Sequence, residues 1–338
     1  MLVQPEVLDE DETPKHELVV HREHELRRLR GAVDRGSSGL AYLFGPPGTG
    51  KTMCAQLVAD QLSPPGHSRS RSVYVNCWRD YERHDVLYAV ADELYEGTVH
   101  RHSTGRAALL ERIDRLDDTE RWVILDEADQ LRDKRVVYDL WESELNLVVI
   151  GNSETDFFDG MDQRLRSRLA VGRHIECPAY SAAEISAILQ ARAAAAFQDA
   201  SVVSDGQLDY VAERVDGDAR KGIRALREAA DLAEEAHPER GRLVITEEDI
   251  REAVPAAREA IQRKAFDQLH DHQQVLFEIL RDEGALAPGE LYERYSDVVD
   301  EPRAKRTVRS YLSKMEHYNY VESAGENQSR TWDAVAFE

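Results

Sequence analysis

Cysteine is scarce in this chain: Cys54, Cys77 and Cys177 lie far apart and form no paired spacing, which argues against both a disulfide framework and a zinc site. No apolar run approaches the roughly 20 residues of a membrane span, and the N-terminus is acidic rather than a basic, hydrophobic signal. A reducing cytoplasm is the expected location, with no membrane partner. Lysine is scarce too, seven of the 43 basic residues, and the remainder are arginine. Against them stand 65 acidic residues, for a net charge of −22. A generic acidic protein fits this balance. So does a protein adapted to concentrated salt, because at about 1 M the Debye length falls to about 3 Å and self-repulsion is screened.

A length of 338 residues predicts two or three domains. Residues 1–17 read as a disordered acidic leader. His21–Val33 follows as an amphipathic helix, with Leu26, Leu29 and Val33 at helical spacing. Over 18–177, short apolar runs alternate with helical stretches: Leu40–Phe44, Ser72–Val75, Trp122–Leu125, Leu147–Ile150 and His174–Cys177. That alternation predicts an α/β fold with a parallel sheet and crossover helices, and Ser63–Ser68 as a loop. Residues 178–264 predict an all-helical domain that begins at the capping box of Ser181 and Glu184, with a short Leu243–Ile245 strand as its one interruption. Residues 265–338 predict three helices and a hairpin, the order of a winged helix-turn-helix.

The run Gly45-Pro46-Pro47-Gly48-Thr49-Gly50-Lys51-Thr52 follows an apolar strand and opens a helix, which is the context a P-loop requires. Its glycines let successive N–H groups turn inward toward phosphate, and the helix start presents a positive dipole end. Lys51 reaches the β/γ-phosphates, the Thr52 hydroxyl ligates Mg²⁺, and Met53 completes the nucleotide-binding run. ATP, ADP and Mg²⁺ are the expected cofactors. Trp122–Leu125 leads into Asp126 and Glu127. An acid at the strand tip holds the metal, and the next can polarise an attacking water.

A third apolar strand ends in Gly151-Asn152-Ser153. Asn152 can bond a γ-phosphate without adding negative charge, and it equally suits a turn. Arg164, Arg166 and Arg168 cluster before the last strand, either as a finger that reaches a neighbour's phosphate or as a solvated face. Arg220, at a helix start after Gly217-Asp218-Ala219, sits where the helix dipole favours acids, so it answers to something else, and the nucleotide is the expected partner.

Together these residues resemble the AAA+ ATPases, and more narrowly the archaeal replication initiators related to the origin recognition complex and the cell-division-control loader. The resemblance runs over residues 18–338. It is carried by His21-Arg22-Glu23, the P-loop, Val73-Tyr74-Val75-Asn76-Cys77, Leu125–Leu131, Tyr138-Asp139-Leu140, Asn152, Arg164–Leu169 and Gly217–Lys221 leading into Ile223–Leu226. It implies an AAA+ core with a helical lid and a winged-helix domain. It also implies Asn152 and Arg220 as nucleotide sensors, Arg168 as the finger, and a DNA-touching segment within Arg79–Arg106.

The third C-terminal helix carries Arg303, Lys305, Arg306, Arg309 and Lys314 with no intervening acid, a reversal of the overall charge. Such a helix enters the major groove, while the hairpin tip, with Asn327, Gln328, Ser329 and Arg330, tracks the backbone or minor groove. A winged helix used for protein contact is the other reading. The expected function is an ATP-dependent initiator that binds double-stranded origin DNA, self-associates on it and recruits or loads the replicative helicase. The alternatives are an ATP-regulated DNA-binding regulator and a non-DNA remodeller, but no clear pore-loop motif supports the latter.

Overall fold

In the computed structural model, the described residues are 3–33, 39–62, 70–95, 97–101, 103–115, 120–236, 243–267, 269, 271–317, 320–325 and 330–335. The loop expected at 63–68 and the tip residues Asn327, Gln328 and Ser329 lie outside them. The chain divides into two units, 1–254 and 255–338.

The first unit is built on a parallel sheet. In chain order it runs α1 (Glu23–Val33), β1 (Leu40–Phe44), α2 (Lys51–Leu62), β2 (Ser70–Asn76), α3 (Arg83–Leu94), α4 (Arg106–Asp114), β3 (Glu120–Asp126), α5 (Arg135–Glu142), β4 (Asn146–Gly151), α6 (Glu154–Phe158), α7 (Gln163–Leu169) and β5 (Arg173–Glu176). The strand order is β2-β3-β4-β1-β5. Alternate residues face opposite sides, as the pleat demands. Tyr42, Phe44, Val123, Leu125, Leu147 and Val149 pack in one cluster with residues of α3–α5. Ala41, Leu43, Trp122, Ile124, Val148 and Ile150 pack in another with α1 and α2. Apolar residues on both faces of β1 and β4 explain why these strands read as continuous apolar runs.

The helical part follows with α8 (Ala182–Ala196), α9 (Asp205–Ala212), α10 (Ala219–Ala236) and α11 (Glu247–Asp267). Ser181 and Glu184 form the expected capping box, and Ser204 with Gln207 forms a second one on α9. Leu243–Ile245 forms no strand; the Ile245 N–H instead bonds the Val202 carbonyl at 2.9 Å. The division between units falls inside α11 at Pro255, which cannot donate an i→i−4 bond.

The acidic leader departs from the disordered expectation. Pro5–Leu8 forms a 3₁₀ turn packed on α8 and α10, with Leu8 fully buried and Val7 nearly so. The Val3 N–H donates to the Ala196 carbonyl at 2.8 Å, and Arg192 Nη1 donates to the Val7 carbonyl at 2.7 Å. Arg224 adds an ion pair with Glu10 at 3.7 Å. Burial of Val7 and Leu8, with a buried arginine that needs an acceptor, outweighs the entropy a charged leader would otherwise keep.

The second unit contains α12 (Asp271–Glu283), α13 (Pro288–Val298), α14 (Lys305–His317) and an antiparallel hairpin of β6 (Val321–Ala324) and β7 (Thr331–Ala334). The helical spacing of Val308, Tyr311, Leu312 and Met315 predicts the buried face of α14; Val308, Leu312 and Met315 are buried and Tyr311 is half-buried. No helix among the described residues is long and apolar enough to cross a membrane.

Docking of the leader is testable. Leu8→Ala should cost the full chain about 2–5 kcal/mol in denaturant unfolding, as a filled core position does. A change within about 0.5 kcal/mol, typical of a free surface segment, would contradict the packing.

Candidate nucleotide site

The parallel register brings the carboxyl ends of the strands level. Phe44 pairs with Gly151 and with Glu176, and Asn76 pairs with Asp126. The next residues along the chain, Gly45, Asn152, Glu127 and Cys177, therefore share one edge of the sheet. Ligands of open α/β sheets bind at this edge.

At this edge Gly48 and Gly50 take φ of 72° and 79°, conformations that favour glycine. Lys51, the first residue of α2, folds back so that its Nζ donates to the carbonyls of Gly45 at 2.6 Å and Pro46 at 2.7 Å. Burial lowers the Lys51 pKa, while the nearby Glu127 and Asp126 charges raise it. Thr52 follows one residue on, and its hydroxyl donates to Asp126 Oδ2 at 2.7 Å. Met53 packs beside Gly50 and the α1–α2 cluster.

Asp126 is buried and well held. Its Oδ2 also accepts the Tyr74 hydroxyl at 2.9 Å, and its Oδ1 accepts the Glu127 N–H at 2.9 Å. Glu127 is in the left-handed region, φ 55° and ψ 40°, a strained backbone of the kind found at working sites. Thr52 and Asp126 place two hard oxygen donors in contact, a donor set that suits Mg²⁺. Asn152 is half-buried just past β4, between the P-loop strand and the Asp126 strand.

The helical part reaches the same place. The Ala219 N–H donates to the Gly48 carbonyl at 3.1 Å, and Arg220 pairs with Asp218 at 3.3 Å. Arg220 is close enough to contribute to the lowered Lys51 pKa. Asp218 and Arg22, which the sequence shows only as parts of longer motifs, belong to this site as well. Asp218 was readable as an N-cap before a helix. Arg22 is almost fully buried, with Nε donating to the Thr49 carbonyl at 3.0 Å and Nη2 to the Pro178 carbonyl at 2.6 Å, and its guanidinium 3.9 Å above the Tyr180 ring. No local pattern marks an arginine as buried.

Arg164, Arg166 and Arg168 are not brought to the P-loop by any hydrogen bond or ion pair among the described residues. They are exposed on α7, where Arg168 stacks over Tyr138 at 4.8 Å and Arg166 over Phe158 at 5.8 Å. Within Arg79–Arg106 the arginines are largely neutralised: Arg83 bonds Asp139 at 2.6 Å, and Arg101 bonds Asp80 and Asp85. An open cavity of about 450 Å³, lined by Arg132, Lys134, Asp159 and Met161, does not include the P-loop. Its size does not mark it as the site, because Lys134 is already held by the Asp156 carbonyl and Arg132 by Glu82.

In the second unit, Arg306 and Arg309 are exposed on α14, and Lys305 stacks over Tyr292 at 4.9 Å. Arg303 precedes the helix, its N–H bonded to the Tyr295 hydroxyl at 2.9 Å. Lys314 belongs to α14, but its side chain lies outside the described residues. Arg330 is half-buried, tied to Glu316 at 3.2 Å and to the Ser323 hydroxyl at 2.9 Å, and lies over Trp332.

Gly48→Ala tests the contact between P-loop and helical part. A Cβ there would meet Asp218 Oδ1 at 1.7 Å on a left-handed backbone. The variant should lose about 1–3 kcal/mol of stability by unfolding and bind nucleotide more weakly by titration.

Comparison with known proteins identifies the family to which this fold belongs. Residues 34–157 match the model of an AAA domain, and residues 186–254 match a Cdc6 AAA+ ATPase-type lid domain. "ORC1-type DNA replication protein 9" of Halobacterium salinarum is 37% identical over 94% of this chain and 90% of its own length. "ORC1-type DNA replication protein 1" of the same organism is 35% identical over 92% of this chain and 100% of its own. Among solved structures, the Aeropyrum pernix ORC1 protein in complex with DNA superposes with a TM-score of 0.72 at 27% identity, covering 98% of this chain and 93% of that one. The A. pernix ORC2 protein, solved with ADPNP and ADP, shares the fold at TM-score 0.64 and 19% identity, over 97% of this chain and 93% of that one. The acidic composition fits relatives from a halophile. On the identity and coverage of these relatives, the chain belongs to the ORC1-type DNA replication protein family of AAA+ ATPases.

Proposed function

We propose that the chain is an initiator of DNA replication that binds Mg²⁺-ATP, recognises origin duplex, and recruits or loads the replicative helicase, with slow hydrolysis as its switch. The observation that carries this reading is the convergence of P-loop, Asp126-Glu127, Asn152 and the lid residue Arg220 on one edge of the sheet. In this site the P-loop amides and the start of α2 face the phosphates. Lys51 would leave its loop carbonyls for the phosphate oxygens. Glu127 would accept the proton of an attacking water, and Asn152 would orient that water or the terminal phosphate. Thr52 and Asp126 would hold Mg²⁺, which when bound neutralises charge on the phosphates. Arg168, exposed on α7, remains available as a finger for a neighbouring copy assembled on DNA.

The three helices and hairpin of the C-terminal unit support reading it as a winged helix-turn-helix. In that role Arg306 and Arg309 are free to meet DNA, together with Arg303, Lys305 and Lys314. Arg330 shapes the base of the hairpin through Glu316, and reaches phosphate only by giving up that pair. DNA binding by the related ORC1 protein supports the same use here.

Two sets of variants test this reading. Lys51→Ala should abolish nucleotide binding in titrations, whereas Glu127→Gln should bind normally and fail to hydrolyse; normal turnover by Glu127→Gln would remove Glu127 as the base. For DNA, affinity for origin duplex should exceed that for random duplex at high salt, and equal affinity would sink the origin assignment. Arg309→Ala should lessen the slope of log affinity against log salt by about 0.9, the loss of one neutralised phosphate.

A further inference from the structure

Asp218 is a buried lid carboxylate pressed against the P-loop. Its Oδ1 accepts the N–H groups of Arg220 at 3.0 Å and Lys221 at 3.4 Å, which makes it the N-cap of α10. Its Oδ2 accepts Arg220 Nη2 at 3.3 Å. The same carboxylate fills the space a side chain at Gly48 would need, beside the bond from the Ala219 N–H to the Gly48 carbonyl. An anion placed against a phosphate loop opposes phosphate unless a cation screens it, and here Arg220 screens it.

A guanidinium fork serves a carboxylate or a phosphate in full, but not both at once. The Arg220 side chain is 42% exposed and that of Asp218 9%, so the pair is weak enough to be exchanged. From this geometry we propose that Asp218 is a positioning residue that holds Arg220 in reserve, and that only a nucleotide with a third phosphate recruits Arg220 away from it. Asp218 thereby sets how strongly the site separates ATP from ADP. The inference rests on the reading of this site as an ATP site.

Equilibrium titration of the full chain with ATP and with ADP tests it, in wild type, Asp218→Asn, Arg220→Ala and the double variant. Asn keeps an oxygen to cap α10 and the packing against Gly48 but lacks the charge that holds Arg220. Asp218→Asn should raise the ATP-over-ADP affinity ratio roughly two- to fivefold, the size of a partly exposed ion pair. The rise should vanish in the Arg220→Ala background, because coupled residues fail to add. An equal change for both nucleotides would reduce Asp218 to a helix cap and overturn the proposal. So would a shift in the ratio that survives without Arg220, or a fall in the Asn variant's unfolding midpoint that lowers both affinities alike. Failure of the underlying reading looks different: the wild-type chain would bind neither nucleotide, and Lys51→Ala would change nothing.

Discussion

The register of β1 against β4 and β5 is the constraint on which the rest of this structure depends. A parallel sheet aligns strand ends of one polarity, and Phe44, Gly151 and Glu176 stand level across three strands. The edge then fills with whatever follows each strand: the P-loop after β1, Asn152 after β4, Glu127 after β3. A one-residue slip of β1 would turn Tyr42 and Phe44 toward α1 and α2 and move Gly45 out of line. The apolar contacts on both faces of β1 are therefore also what hold the phosphate loop in place.

An acidic chain assembles an anion site at this edge by keeping its own acids occupied. Asp126 spends its oxygens on Thr52, Tyr74 and the Glu127 N–H, and Asp218 spends its own on Arg220 and the start of α10. The positive side comes from backbone N–H groups and a helix start, which add no formal charge, and from Lys51 and Arg22, both buried. Burial alone pushes the Lys51 ammonium toward neutrality, and Glu127 and Asp126 counter that pressure. In concentrated salt this arrangement has a further consequence. Surface pairs are screened within a few ångströms, whereas buried pairs and backbone dipoles keep most of their strength.

What could be read from the sequence follows the range of the interaction. Strands, P-loop, acidic pair and capping boxes are local patterns, and the structure places them where the pattern did, with β1 spanning the same residues. The capping box of Ser204 and Gln207 was equally local, though it was not singled out. Apart from the short Leu243–Ile245 strand, which does not form, the failures are long-range. Leu8 and Val7 sit among eight acidic and proline residues of the leader, and nothing nearby shows that α8 and α10 will cover them. The burial of Arg22 depends on Thr49 and on Pro178, the latter 156 residues away. Arg330 looked like a free basic tip residue because Glu316, its partner, lies on another element. Composition says how many charges a chain has, but only the fold decides which are already matched.

The leader and Arg22 together change how the lid must be understood. Residues 3–10 attach to α8 and α10 of the lid through Ala196, Arg192 and Arg224. A few residues later the Thr13 hydroxyl donates to Gln56 on α2, the helix that begins at the P-loop lysine. Arg22 then bonds the P-loop at Thr49 and the core–lid junction at Pro178. The chain thus touches lid, core and junction in turn before the first strand begins. Rotation of the lid away from Gly48 must break the leader's lid contacts, stretch the segment between Asp11 and Thr13, or release Thr13 from α2. A lid hinged at one covalent connection could swing freely, but one that is also held by a second strand of chain has its travel limited by how much that strand can extend, at most about 3.3–3.6 Å per residue. With so few residues between the two attachments, a lid that moves while both hold must pull on α2.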